Sequence, residues 1–245
     1  MNARFQLWLF RLFGREITVP LSNCVHFCGY RYGRGEFNPY ENYAIARVRG
    51  ASEEQARGQF VDFLLFYRPR HFGEALGVEL QRRYPLWFYP WSRSVINPAN
   101  AWCKEPNDCP DILTHFSERG ISSRGLAAEY GWLEGSLRSI REHGFQPGRF
   151  RSIVQARRFV RADGSAAYLL LDGNHRVSAL SALGYTKVPL QYLPAATLYE
   201  TALPVWRQVR RNLYSADDAA RVFSVYFDGN RRSRTTGEPS RIVSA

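Results

Sequence analysis

Tyr168-Leu-Leu-Leu-Asp-Gly-Asn-His-Arg-Val-Ser-Ala-Leu-Ser-Ala-Leu-Gly-Tyr-Thr-Lys-Val-Pro-Leu-Gln-Tyr-Leu193 reads as strand, turn, helix and strand. Tyr168 to Leu171 is a short apolar run closed by Asp172-Gly173, the pattern of a strand buried on both faces. Past Asn174, the residues Val177, Leu180 and Leu183 fall at helical spacing with Ala179 and Ala182 beside them, and Gly184 stands where a helix ends. Lys187 to Leu193 predicts a second strand, in which Pro189 marks an edge or an end of pairing. A helix entered directly from a strand through Asp-Gly-Asn presents backbone N–H groups without intrahelical partners, at the positive end of its dipole. Such a place holds anions. Gly173, Asn174, His175 and Arg176 therefore form a candidate phosphate cradle, the last two adding side-chain donors. The competing reading has Asp172 and Asn174 capping the helix while Arg176 stands in solvent.

Ser152 to Arg161 and Tyr168 to Leu171 flank Ala162-Asp-Gly-Ser165, which reads as a hairpin. Asp172-Gly-Asn-His-Arg176, its helix and the Val-Pro strand resemble the ParB/sulfiredoxin superfamily. Members of that superfamily carry Gly-x-x-Arg or Asp-Gly-His-His-Arg at this strand-to-helix turn. Upstream, Leu137-Arg-Ser-Ile-Arg-Glu-His-Gly-Phe-Gln-Pro147 looks like the helix and Gly-x-Gln-Pro turn that precede the superfamily's paired strands. The resemblance covers residues 125–193 and leaves the rest of the chain outside it. Sulfiredoxins need a cysteine in a Gly-Cys-His-Arg turn, where this chain has Asn174. DNA-segregation members carry Gly-Glu-Arg-Arg and a following helix-turn-helix reader, for which little chain remains after Leu193. The small-molecule kinases use Asp-Gly-His-His-Arg, which differs from the present turn at one residue.

The kinase resemblance implies ATP or another nucleotide with Mg²⁺, and a small-molecule or sugar hydroxyl as acceptor. It implies Asp172 and His175 as catalytic residues and Asp172 as the metal ligand. Gly173, Asn174, His175, Arg176 and Gln146 are its implied nucleotide contacts. The physical demands of phosphoryl transfer agree, since the phosphates must be fixed and their developing charge neutralised. The kinases' general-base glutamate has no matching motif here; Glu129, Glu134 and Glu142 are near in sequence and none is preferred.

The 245 residues carry a net charge of +11, and all but Lys104 and Lys187 of the 33 cationic side chains are arginine. An anionic partner is expected: nucleotide, phosphorylated glycan or acidic membrane face, with nucleic acid the weakest option. Cys24, Cys28, Cys103 and Cys109 lack the spacing of a zinc knuckle and read as free buried thiols. With no signal peptide read at the start, a cytoplasmic setting is expected. Phe5 to Phe13 is apolar and aromatic but too short to span a bilayer. It reads either as a helix on the protein's own core or as an interfacial anchor at the inner face of a membrane.

The expected fold class is α+β, a ParB/sulfiredoxin-like domain with mixed sheet and helices over residues 106–228. It follows an aromatic, loop-rich N-terminal region at 1–105 and precedes a flexible tail at 229–245. Within the first region, Ile17 to Arg49 reads as loops and short strands, Ser52 caps a helix that runs toward Pro69, and a short helix follows Pro69. Tyr84-Pro-Leu-Trp-Phe-Tyr-Pro-Trp91 reads as core filling, with a carbohydrate or lipid-head-group surface at Trp87 and Trp91 as the other reading. Asp111 to Glu118 predicts a short helix. Ser122 or Ser123 caps another helix that leads through Gly131 into Leu133 to Glu142. Thr197 to Leu213 has helical period apart from Pro204, and Asp217 to Phe227 shows no clear period.

Two functions follow, from different classes. One is a nucleotide-dependent phosphotransferase acting on a small-molecule or sugar hydroxyl, in the setting of bacterial surface-polysaccharide synthesis. The other is a non-catalytic nucleotide- or glycan-binding module docked on a membrane-associated assembly. A DNA-binding role is the third, and it predicts affinity that falls steeply with salt.

Overall fold

β3 (Val154–Val160) and β4 (Ala166–Asp172) form the antiparallel hairpin expected around Asp163-Gly164. Its turn closes through the Arg161 N–H on the Ser165 carbonyl at 2.9 Å and the Ser165 N–H on Asp163 Oδ1 at 2.8 Å. In the computed structural model, residues 10, 12–33, 35–66, 69–92, 123–147 and 153–230 are described. Along β4 the side chains alternate: Ala167 and Leu169 enter one core, Tyr168 and Leu170 the other. This is why the apolar run is continuous, for both of its faces are covered.

α5 (Asn174–Ala182) follows, burying Val177, Ala179 and Leu180, and stops at Gly184, whose φ of 83° only glycine adopts without strain. β5 (Lys187–Tyr192) then pairs parallel with β3 from Leu190 onward, so Pro189 falls just ahead of the ladder that its missing N–H would interrupt. On its other side β5 pairs antiparallel with β1 (Arg15–Pro20). β2 (Cys24–Val25) lies parallel to β4, and β6 (Leu198–Tyr199) runs parallel to the end of β3. The six-stranded mixed sheet has the order β1-β5-β3-β4-β2, with β6 beside β3. The class is α+β. The boundary expected at 105/106 and the helix expected at Asp111 to Glu118 lie outside the described residues, but strands from before and after that boundary share one sheet.

Four elements differ from expectation. α1 (Pro39–Val48) occupies part of the stretch read as loops and short strands. Asn38 caps it, its Oδ1 accepting the Tyr40 and Glu41 N–H groups, and Pro39 takes the first helical position, where no N–H is needed. α4 (Ser123–His143) is continuous through Gly131 rather than two pieces. The helix expected at Thr197 to Leu213 is instead β6, a 3₁₀ segment over Glu200–Val205 that accommodates Pro204, and the single turn α6 (Arg207–Arg210). α7 (Ala216–Asp228) is an α-helix with Ser215 Oγ accepting the Asp218 N–H at 3.1 Å. Elsewhere among the described residues the expected helices form. In α2 (Glu53–Phe66), Ser52 and Gln55 bond reciprocally at 2.8 and 3.1 Å, and α3 (Phe72–Leu76) starts on the His71 side chain.

The core that holds Tyr168 and Leu170 takes Val177, Ala179 and Leu180 of α5 with Leu137 and Ile140 of α4; the one that holds Ala167 and Leu169 takes α7, Leu133 of α4 and most of the buried aromatic residues described in the first hundred. Trp87 and Trp91 belong to that second core, against Phe27, Phe72, Phe159 and Trp206, which removes the carbohydrate or lipid surface from them. Tyr84 stacks on Tyr214 at 3.7 Å and its hydroxyl donates a hydrogen bond to buried Asp218, which also accepts the Gln81 N–H. Asp218→Ala should cost about 1–3 kcal/mol in denaturant unfolding, since the buried Tyr84 hydroxyl and the partly exposed Gln81 N–H lose their acceptor. A loss under 0.5 kcal/mol would show that water replaces the carboxylate.

Gly229 and Asn230 are not tail: the Asn230 amide donates to the Cys28 and Ala75 carbonyls. The rest of the expected tail lies outside the described residues, as do most of Phe5 to Phe13, Cys103 and Cys109. Cys24 and Cys28 are buried free thiols, and burial pushes both up. Among the described residues no helix is long and apolar enough to cross a membrane.

Candidate functional site

Gly173 is the N-cap of α5, with φ 99° and ψ 17°, in the left-handed region that favours glycine. A Cβ there would stand 3.0 Å from Val154 Cγ2 and 3.1 Å from Arg176 Nη2, so shape as well as conformation selects glycine. Among the described residues no side chain caps the helix. Asp172 and Asn174 are both engaged otherwise, which corrects the capping reading. Asp172 Oδ2 accepts from Arg176 Nη2 at 3.2 Å, and Asn174 Oδ1 accepts the Tyr32 hydroxyl at 3.0 Å. The first bond of the helical ladder is Val177 N–H to the Gly173 carbonyl at 2.9 Å. The N–H groups of Asn174, His175 and Arg176 precede it, and their dipoles sum at the turn.

Arg176 does not stand in solvent. Its side chain is 17% exposed, and its guanidinium folds back against Gly173. Burial pulls its pKa down while Asp172 opposes the shift. Nη2 has Asp172; Nη1 is closed off from solvent and has no hydrogen-bond partner among the described residues. An unsatisfied donor on a mostly buried cation is costly, and an oxyanion at the turn would relieve that cost.

His175 turns the other way, toward α4. Its Nε2 lies 2.9 Å from Glu129 Oε2, and the same oxygen accepts the Tyr40 hydroxyl at 3.2 Å. Glu129 is buried, so His175 reaches a carboxylate that water barely touches. Because an ionised carboxylate only accepts, Nε2 is the donor in this contact. The rings of Tyr40 and Trp132 stand 5.5 and 5.8 Å from the imidazole. Of the three glutamates near in sequence, Glu129 alone contacts the turn. Glu134 pairs with Arg47 at 2.8 Å, and Glu142 lies beside His143. The Glu129 contact joins residues 46 apart, so no local spacing in the sequence displays it.

Gln146 is not brought to this place. It is exposed, its amide donates to the His143 carbonyl, and Gly144 lies beside the Tyr185 hydroxyl just past the C-terminal end of α5. The turn is at the other end of that helix. Magnesium fits no better. Asp172 already engages Arg176, and among the described residues no three His, Cys, Asp or Glu side chains group to hold a metal. Two clefts lie elsewhere, about 270 Å³ beside Arg70, His71 and Arg83 and about 440 Å³ beside Val78, Arg221 and Asp228.

Behind the site, His26 is fully buried, its Nδ1 accepting the Cys28 N–H at 3.2 Å. Burial, and then the charge of nearby His175, holds its pKa down to about 3. The unfolded chain takes up this proton near pH 6.5 and the folded chain does not, so stability rises with pH between those values. Lowering the pH from 6.5 should therefore cost about 1.4 kcal/mol per unit through this one group. His26→Gln should flatten the stability curve between pH 6 and 4 in denaturant titrations; an unchanged slope would place the acid sensitivity elsewhere.

No family model matches the chain, and no curated protein is similar to it.

Proposed function

We propose that this protein binds a nucleotide through its phosphates at the N-terminus of α5 and transfers a phosphoryl group to a small-molecule or sugar hydroxyl. This is the activity implied by the resemblance of Asp172-Gly-Asn-His-Arg176 to the small-molecule kinases of the ParB/sulfiredoxin superfamily. The observation that carries it is the pairing of a helix start that no side chain caps with Arg176 Nη1, a buried donor that lacks a partner among the described residues. A phosphate oxygen supplies the acceptor that both are missing.

The roles divide by position. The N–H groups of Asn174, His175 and Arg176, with the Arg176 guanidinium, hold the phosphate charge as it builds on the transferred group. Asp172 orients Arg176. The acceptor oxygen bonds to the terminal phosphorus as the bond to the bridging oxygen breaks, and the nucleoside diphosphate leaves. The hydroxyl proton passes to His175 Nδ1, and Glu129 steadies the imidazolium that forms. Mg²⁺ enters none of these steps as a group held by the protein.

A non-catalytic nucleotide-binding module is favoured by one observation, that Asp172 is committed to Arg176 rather than open to a metal. Calorimetric titration with ATP, CTP and ADP, with and without Mg²⁺, paired with an assay for phosphoryl release, separates the two. Binding with turnover supports the enzyme, binding without turnover the module, and absence of binding removes both.

A further inference from the structure

The described tryptophans other than Trp132 are committed to the core: Trp87 and Trp206 are buried and Trp91 packs against them. Trp132 is 48% exposed and lies beside His175, its ring centroid 5.8 Å from the imidazole. It sits one turn along α4 from Glu129, so the same edge of that helix that anchors His175 also displays the indole. The helical neighbours able to cover its ring are those three and four residues away: Ala128, Glu129, Gly135 and Ser136. Three of these are small, and Glu129 is turned inward to His175 and Tyr40.

Gly135 sharpens the point. It sits inside a helix, where glycine is the poorest residue after proline, yet a Cβ there would meet nothing within 4 Å. Close packing therefore does not select it. It leaves the indole uncovered on a side where a longer side chain would lean over it.

We infer that Trp132 is the stacking platform for the purine base of the nucleotide. This rests on the phosphate reading of the α5 turn and adds to it the part of the ligand that phosphate contacts cannot distinguish. The base lies against the exposed indole, His175 stands between base and turn, and the phosphate chain leads to Asn174, His175 and Arg176. Indole stacking is attractive for any base, and largest for the extended purine ring.

The test is a pair of titrations, ATP and inorganic tripolyphosphate, on the full chain and on Trp132→Ala and Trp132→Phe. Tripolyphosphate has the charge and no base. The expected result is ATP affinity about tenfold or more weaker in Trp132→Ala, partial recovery in Trp132→Phe, and tripolyphosphate affinity unchanged in all three. If both ligands bind and Trp132→Ala leaves ATP affinity alone, the platform is wrong while the phosphate site stands. Equal loss of both ligands also overturns it, since Trp132 would then be acting on the phosphate turn. If neither ligand binds the unaltered chain, the phosphate reading falls and this inference with it.

Discussion

Arg176→Ala weakens ATP binding by about 100-fold or more, with the unfolding midpoint close to that of the unaltered protein, if the α5 turn is the phosphate site. The size follows from geometry. The guanidinium lies folded against Gly173, mostly out of water, with one donor on Asp172 and Nη1 without a partner among the described residues. A phosphate there meets a cation whose desolvation has already been met in folding, so its removal forfeits a strong charge-assisted contact. The fold loses little, because Asp172 is 58% exposed and water can serve it. Arg176→Lys should recover only part of the affinity, since an ammonium lacks the planar fork that reaches Asp172 and a phosphate together. Affinity unchanged in Arg176→Ala would move the anion away from this turn.

The second large effect is on turnover. His175→Gln should lower phosphoryl transfer by roughly 10²–10⁴-fold while changing ATP affinity only slightly, since the backbone N–H of residue 175 remains. Glu129→Gln should cause a smaller loss, because an amide steadies the imidazolium less than a carboxylate does. Glu129 is buried and holds the Tyr40 hydroxyl as well, so thermal unfolding must be recorded beside the rates. Equal losses in binding and turnover would make His175 a structural residue that merely anchors α5 to α4.

The hairpin, the turn and α5 were legible because each is written in adjacent residues: an alternating or apolar strand, Asp163-Gly164, then Val177, Leu180 and Gly184 at helical spacing. Gly173 was legible for the same reason. The sheet partners of this segment were not. β1 and β2 pair with β5 and β4 across more than a hundred residues, and nothing local in Arg15–Pro20 names its neighbour. α1 is written locally, since Asn38-Pro39 with Glu41 is a helix start, but the Gly, Tyr and Asn around it are loop formers that mask the signal. α7 is legible only once the helical spacing of Ala219, Val222, Phe223 and Tyr226 behind Ser215 is counted, and all four are buried. At the site, Arg176 and Asp172 are one turn apart and their pairing was within reach. Glu129 and Trp132 come to His175 only because α4 packs beside α5, which no stretch of the sequence records.

The central claim is that phosphate sits on the first turn of α5. Backbone amide spectra of ¹⁵N-labelled protein, recorded as inorganic tripolyphosphate is added, test it at the atoms concerned. The account predicts the largest saturable shifts at the amides of Gly173 to Arg176, lost in Arg176→Ala. Shifts centred on another surface, or none at concentrations where ATP binds, would contradict it.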